Sequence, residues 1–201
     1  MSKGRKISRI KWEAEKRALQ KRMIYYWAYG SNLNVNQMRL RCPGAVQVSP
    51  LILEDGMLVF RNVADVTAIR GRKIAGGLWK ITPEHEATLD KNEGVASRWY
   101  LKRYILIEVD GKKHDCLFYQ MRISTGIMPP TEAYLDCIIQ GYRDFNLDLN
   151  LLDAALHESW SNKQLTPLLR ERHSRRGSPR LARYGESYGH NGFKLDEDEL
   201  R

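Results

Sequence analysis

Two short stretches carry side chains that could do chemistry together. The first is Tyr26-Trp27-Ala28-Tyr29-Gly30-Ser31-Asn32-Leu33, where aromatic residues run into Gly-Ser-Asn. A chain that turns at a glycine and enters a helix leaves consecutive N–H groups without carbonyl partners. Such amides form a concave site for an anion or oxyanion. The second stretch is Leu89-Asp90-Lys91-Asn92-Glu93-Gly94-Val95. Glu93 stands where a helix ends, and the macrodipole there disfavours added negative charge. Burial would raise its pKa further, which suits a general base working near neutral pH. The residues alone leave a second reading open for each stretch. Glu93 would then be an exposed residue before a helix-ending glycine, the commoner arrangement. Gly30 would be no more than the turn of a strand–helix connection.

Other chemistries find less support. His114 and Cys116 share a face of an expected strand, but a reactive thiolate needs a hydrogen-bonded base and an electropositive setting. Ser31 lacks the G-x-S-x-G context of an activated serine. The histidines His85, His114, His157, His173 and His190 are scattered without metal-ligand spacing. No phosphate-loop or dinucleotide fingerprint is present.

The elements that must position these residues follow from composition and punctuation. Ile24 to Tyr29 is an unbroken β-branched and aromatic run, suited to a buried strand. Gly30 allows a sharp turn through positive φ. Asn34 caps a helix from Val35 to Leu40, and Gln37 completes a capping-box pattern. Four strands are expected next, at Leu51 to Leu53, Met57 to Phe60, Ala64 to Ile69 and Ile74 to Ile81. Gly76-Gly77 inside the last suggests a close backbone approach or a bulge. Thr82-Pro83 starts a helix that stops at Gly94. Trp99 to Val109 and Lys113 to Met121 form a hairpin about Asp110-Gly111. Helices are expected from Thr131 to Asn146, with Tyr134, Leu135, Ile138, Ile139 and Tyr142 on one face, and from Leu149 to about Glu158. The pattern is α+β.

The chain has 201 residues, 42% of them hydrophobic, enough for one domain with a sizeable core. The expected boundaries are a basic extension at 1–23, with a short helix from about Ile10, a domain at 24–159, and a polar tail at 160–201. The net charge of +9 resides in the extensions: residues 1–23 carry +7, residues 160–201 carry +3, and the domain between them −1. The basic pI therefore makes no case for a nucleic-acid-binding core; a nucleic acid or acidic partner would be met only through the arms. No apolar run is long enough to span a bilayer, so no membrane association is expected, and the N-terminus is too charged for a secretory signal. Three cysteines without metal-ligand spacing point to reduced thiols and a cytoplasmic location.

Taken together, Y-x-A-Y-G-S-N-L at Tyr26 to Leu33, R-x-R-C-P-G-A at Arg39 to Ala45, G-x-x-W within Gly76-Gly77-Leu78-Trp79-Lys80, L-D-x-x-E-G-V with Tyr100, and Pro129-Pro130 with Tyr134 and Gly141 resemble the γ-glutamylcyclotransferase family. The similarity covers roughly Tyr25 to Leu156 in the same order. It implies a mixed, partly barrel-like sheet with helices around it, and an enzyme that cyclises a γ-glutamyl group to 5-oxoproline without a cofactor. Glu93 is implied as the general acid/base. Tyr26, Trp27, Ala28, Tyr29, Gly30, Ser31 and Asn32, with Tyr100 and Tyr134, are implied as the substrate-binding residues. The small-molecule partner would be a γ-glutamyl amino acid, a γ-glutamylamine, glutathione or a γ-glutamyl-protected intermediate. The two arms depart from the family pattern, as does the short stretch from Asn62 to Arg72. Its Arg61, Arg70, Arg72 and Lys73 would change what a neighbouring pocket admits. Alternatives from other classes are a non-catalytic binding module of the same fold, and an adaptor docking through its basic arms.

Overall fold

The computed structural model describes residues 23–122 and 126–161; the expected N-terminal helix and most of the polar tail lie outside them. Five strands form one mixed sheet in the order β2-β3-β1-β5-β4. They are β1 (Ile24–Ala28), β2 (Val46–Arg61), β3 (Val63–Ile81), β4 (Tyr100–Val109) and β5 (Lys112–Met121). The helices are α1 (Val35–Arg41), α2 (Pro83–Asn92), α3 (Glu132–Asp144) and α4 (Leu149–Ser161). A 3₁₀ turn, Ser31–Leu33, joins β1 to α1. Helix α4 runs two residues beyond the boundary expected at 159.

Strand β1 is central, antiparallel to β3 and parallel to β5. Its aromatic side chains are buried, Tyr26 and Trp27 to 3% and 1% exposure. The Trp27 ring lies directly against Gly76, where a Cβ would overlap its indole nitrogen, so this glycine serves the close approach expected of it. Burying an aromatic side chain of this size stabilises the fold by roughly 1.5–3 kcal/mol.

The four short strands expected between Leu51 and Ile81 are two long ones. Asn62, at φ 71°, makes the hairpin turn between them. Asp55-Gly56 does not end a strand: the register passes from Glu54↔Lys73 to Gly56↔Ala68, setting Asp55 opposite residues 69–72. The Asp55 carboxylate accepts from the Gly71 N–H at 2.7 Å and holds this bulge, which bends both strands.

The bend carries the start of β3 over the end of β5. There β1 has already stopped, and side chains span the gap. Tyr100 Oη donates to the Ala64 carbonyl at 2.8 Å, Gln120 Nε2 to the Val66 carbonyl at 3.2 Å, and the Met121 N–H to Asp65 at 3.0 Å. The partial barrel expected from the resemblance is thus a curled open sheet with β2 and β4 as edges. Among the described residues its closure is by these bonds and by no further ladder.

Candidate active site

The cleft opens where β1 ends, and each wall has its own means of support. The turn after β1 forms the floor. Gly30 has φ −111°, not the positive value expected. Space is tight there: a Cβ would stand 3.1 Å from the Ala64 Cβ and 3.2 Å from Tyr134 Oη, so a larger residue would push both neighbours back by a few tenths of an ångström. The first main-chain bond inside the turn is Leu33 N–H to the Gly30 carbonyl, 2.9 Å. The amides of Ser31 and Asn32 precede it at the helix start, the Ser31 amide and hydroxyl turned towards the Tyr134 oxygen. Asn34 caps α1 by accepting from the Gln37 N–H at 3.0 Å. Only this half of the expected capping box forms, because the Gln37 side chain turns to Cys137.

Helix α3 presses on that turn. Gly141 meets Leu33 and Asn34 so closely that a Cβ would overlap the Leu33 Cβ and lie 2.7 Å from the Asn34 nitrogen. This contact brings Tyr134, seven residues earlier on α3, into the cleft, where its oxygen accepts from the Ala64 N–H at 3.1 Å. Tyr100, donating to the carbonyl of the same residue, holds Ala64 from the other side.

Helix α2 brings Glu93. Thr82 and His85 form a reciprocal capping box at its start. At its far end Glu93 is the C-cap, and Gly94 follows with φ 63°. The helix is fixed to the sheet by Asp90, which accepts from Tyr119 Oη at 2.8 Å, and by Lys102, which pairs with Glu86 at 2.6 Å and Asp90 at 2.7 Å. Glu93 is thereby half-buried, facing the floor. Asn32 Nδ2 donates to its Oε1 at 3.0 Å and to Tyr26 Oη at 2.9 Å, while Asn32 Oδ1 accepts from Arg41 at 2.7 Å. Burial raises the Glu93 pKa; the Arg41 charge and the Asn32 hydrogen bond pull it part of the way back.

The resulting cleft is small and open to solvent. It brings together Tyr26, Tyr29, Gly30, Ser31 and Asn32 with Glu93, Tyr100 and Tyr134. Trp27 and Ala28 are not among its lining. Alternation along β1 turns Trp27 to the opposite side, where it donates to the Leu51 carbonyl and packs edge-on against Phe118. Nor do the basic residues of the β2–β3 hairpin line it: Arg61 pairs with the buried Asp65, Lys73 with Glu54, and residues 70 and 72 are exposed on the bulge.

Ala64 and Tyr119 also line the cleft and had no signal in the sequence. Ala64 is a small residue in a strand. Tyr119 ends the run Cys116–Tyr119, buried throughout, so period-two alternation does not mark a face. Burial pushes up the pKa of every tyrosine in the lining, to about 12 for Tyr134, so all are neutral donors or acceptors. Burial likewise raises the Cys116 thiol, and His114 tilts against the Tyr25 ring instead of pairing with it, so Cys116 presents no thiolate. Among the described residues, no three His, Cys, Asp or Glu side chains are grouped to hold a metal ion. No helix there is long and apolar enough to cross a membrane.

The chain and its fold are similar to known proteins. Residues 73–148 match the model of the AIG2-like family. The chain is 32% identical over 137 residues to a γ-glutamylcyclotransferase of Bos taurus and 30% identical over 141 residues to one of Homo sapiens. Each alignment spans 62% of this chain and 72% of the relative. A solved γ-glutamyl cyclotransferase superposes with a TM-score of 0.58 at 23% identity, covering 77% of this chain and 99% of that one. A crystal structure of an uncharacterised human protein gives the same score and identity, covering 75% and 97%. At that identity the solved structures bear on the fold alone.

Proposed function

The chain belongs to the γ-glutamylcyclotransferase family, and on that premise we propose that it cyclises a γ-glutamyl group to 5-oxoproline, with Glu93 as the proton-transfer residue. The observation that carries this reading is the half-buried Glu93 carboxylate, oriented by Asn32 across the cleft from the Gly30–Ser31 turn. Nucleophile and electrophile belong to one substrate. The free α-amine attacks its own γ-carbonyl carbon, a C–N bond forms, and the carbonyl oxygen takes the negative charge. Folding the substrate for this five-membered closure supplies a large part of the rate by orientation alone.

The protein adds three things. Glu93 accepts a proton from the attacking nitrogen and returns it to the departing nitrogen as the original C–N bond breaks, ending as the carboxylate it began as. The Ser31 and Asn32 amides face the developing oxyanion or the substrate carboxylate. The tyrosines exclude water and supply neutral hydroxyls. The products are 5-oxoproline and the released amine. The test is incubation of the purified chain with γ-glutamyl amino acids, γ-glutamylamines and glutathione, followed by assay for 5-oxoproline. Release from at least one substrate, lost in Glu93→Gln, is expected. Binding without release from any of them would make the cleft that of a non-catalytic module.

A further inference from the structure

Arg41 closes α1, a position where a helix dipole favours a cation for its own sake. Its head group points elsewhere, to Asn32 Oδ1 at 2.7 Å. A guanidinium has donors only, so the atom facing it must be the amide oxygen. That leaves Asn32 Nδ2 turned to Glu93 and Tyr26. Rotated by half a turn, the same amide would set its oxygen against the carboxylate, acceptor to acceptor. Arg41 is not among the residues lining the cleft. The end of α1 is fixed independently, by Cys42 N–H to the Met38 carbonyl at 2.8 Å and by the His85 ring against the Pro43 carbonyl at 2.9 Å. The other ionisable groups that act on or are influenced by Glu93 are phenols: Tyr26 and Tyr29 at the end of β1, Tyr100 on β4 and Tyr134 on α3. All are neutral where a carboxyl titrates.

We propose that Arg41 is a positioning residue for Glu93, acting through Asn32: it locks the amide so that the carboxylate receives a hydrogen bond, and it supplies the cation of the site. The effect on turnover rests on the cyclisation reading; the effect on the Glu93 carboxyl does not. The test is therefore a carboxyl-carbon NMR titration of the full chain without substrate, with Glu93 assigned by its absence in Glu93→Gln. It is run on wild type, Arg41→Met, Arg41→Gln and Arg41→Lys, beside kcat and KM against pH for a substrate that yields 5-oxoproline.

In Arg41→Met the Glu93 midpoint should rise by about one pH unit, and it should return towards wild type in Arg41→Lys. Plateau kcat should fall roughly tenfold in Arg41→Met with KM within about twofold. It should recover in Arg41→Gln, which keeps a donor for Asn32 without the charge. Should Arg41→Met not fold, the Gln and Lys variants carry the same titration. An unchanged Glu93 midpoint on loss of the charge overturns the proposal whether or not the chain turns anything over. So does a raised KM at unchanged kcat, because Arg41 would then meet the substrate itself. Absence of 5-oxoproline from every substrate would sink the cyclisation reading and leave the titration to decide the role of Arg41.

Discussion

The Glu93 carboxyl loses more by burial than Asn32 and Arg41 return to it, so its pKa lies above the ordinary 4.5. Two consequences have opposite signs. For a base, the active form is the carboxylate, and kcat/KM should fall as pH drops through this raised pKa. Glu93→Gln should remove that limb and lower kcat on the order of 100- to 10,000-fold, with binding largely kept. For stability, the folded state holds the proton more tightly than the unfolded state. The contribution is therefore fully present below the unfolded pKa and is lost as pH rises through the folded one. At neutral pH the ionised group is a burden on the fold, so Glu93→Gln should melt no lower than wild type there. A loss of melting temperature in Glu93→Gln at pH 7, or a wild-type rate, would contradict this account.

At the scale of elements, the site depends on two helices, α2 held to the sheet by its Asp90 and Lys102 contacts and α3 docked at a contact that admits no larger side chain. Gly141→Ala would gain up to about 1 kcal/mol in helix propensity. The added methyl overlaps Leu33 and meets the backbone nitrogen of Asn34, neither of which can swing aside. Overpacking of that kind costs about 1–3 kcal/mol. A lower melting temperature is expected, with KM raised because Tyr134 shifts with the helix; a more stable variant would show that the turn yields. How far such contacts were legible differs from element to element. β1, its turn and the Thr82-Pro83 helix start were written locally, in aromatic density and capping residues. The bulge at Asp55 was not, since Asp-Gly has one composition whether it ends a strand or kinks it, and the partner strand decides. Gly30 was marked as special for the wrong reason. Its φ is negative, and the tight space around it comes from Ala64 and Tyr134, both distant in the chain. Tyr119 and Ala64 were invisible because what singles them out is which side of a buried strand faces a gap.

For the whole molecule, every family-like block falls between residues 24 and 159, and so do the lining residues named above. A chain trimmed of residues 1–23 and of those after Thr166 should fold and turn over the same substrate at close to the full rate. A folded but inactive truncate would assign the basic arms a part in the site. The side-chain stitching across the end of β1 has one more consequence. Peptide N–H groups in the β1–β3 ladder exchange with solvent only when strands part, whereas the Ala64 N–H is shielded by the oxygen of a phenol. Deuterium should therefore enter at Ala64 well before it enters at Leu78, and Tyr134→Phe should hasten the first without touching the second. A uniform rate at both positions would mean that the wall of the cleft opens only when the sheet itself does. An early signal at Ala64 would mean that the wall of the cleft opens on its own, ahead of the sheet behind it.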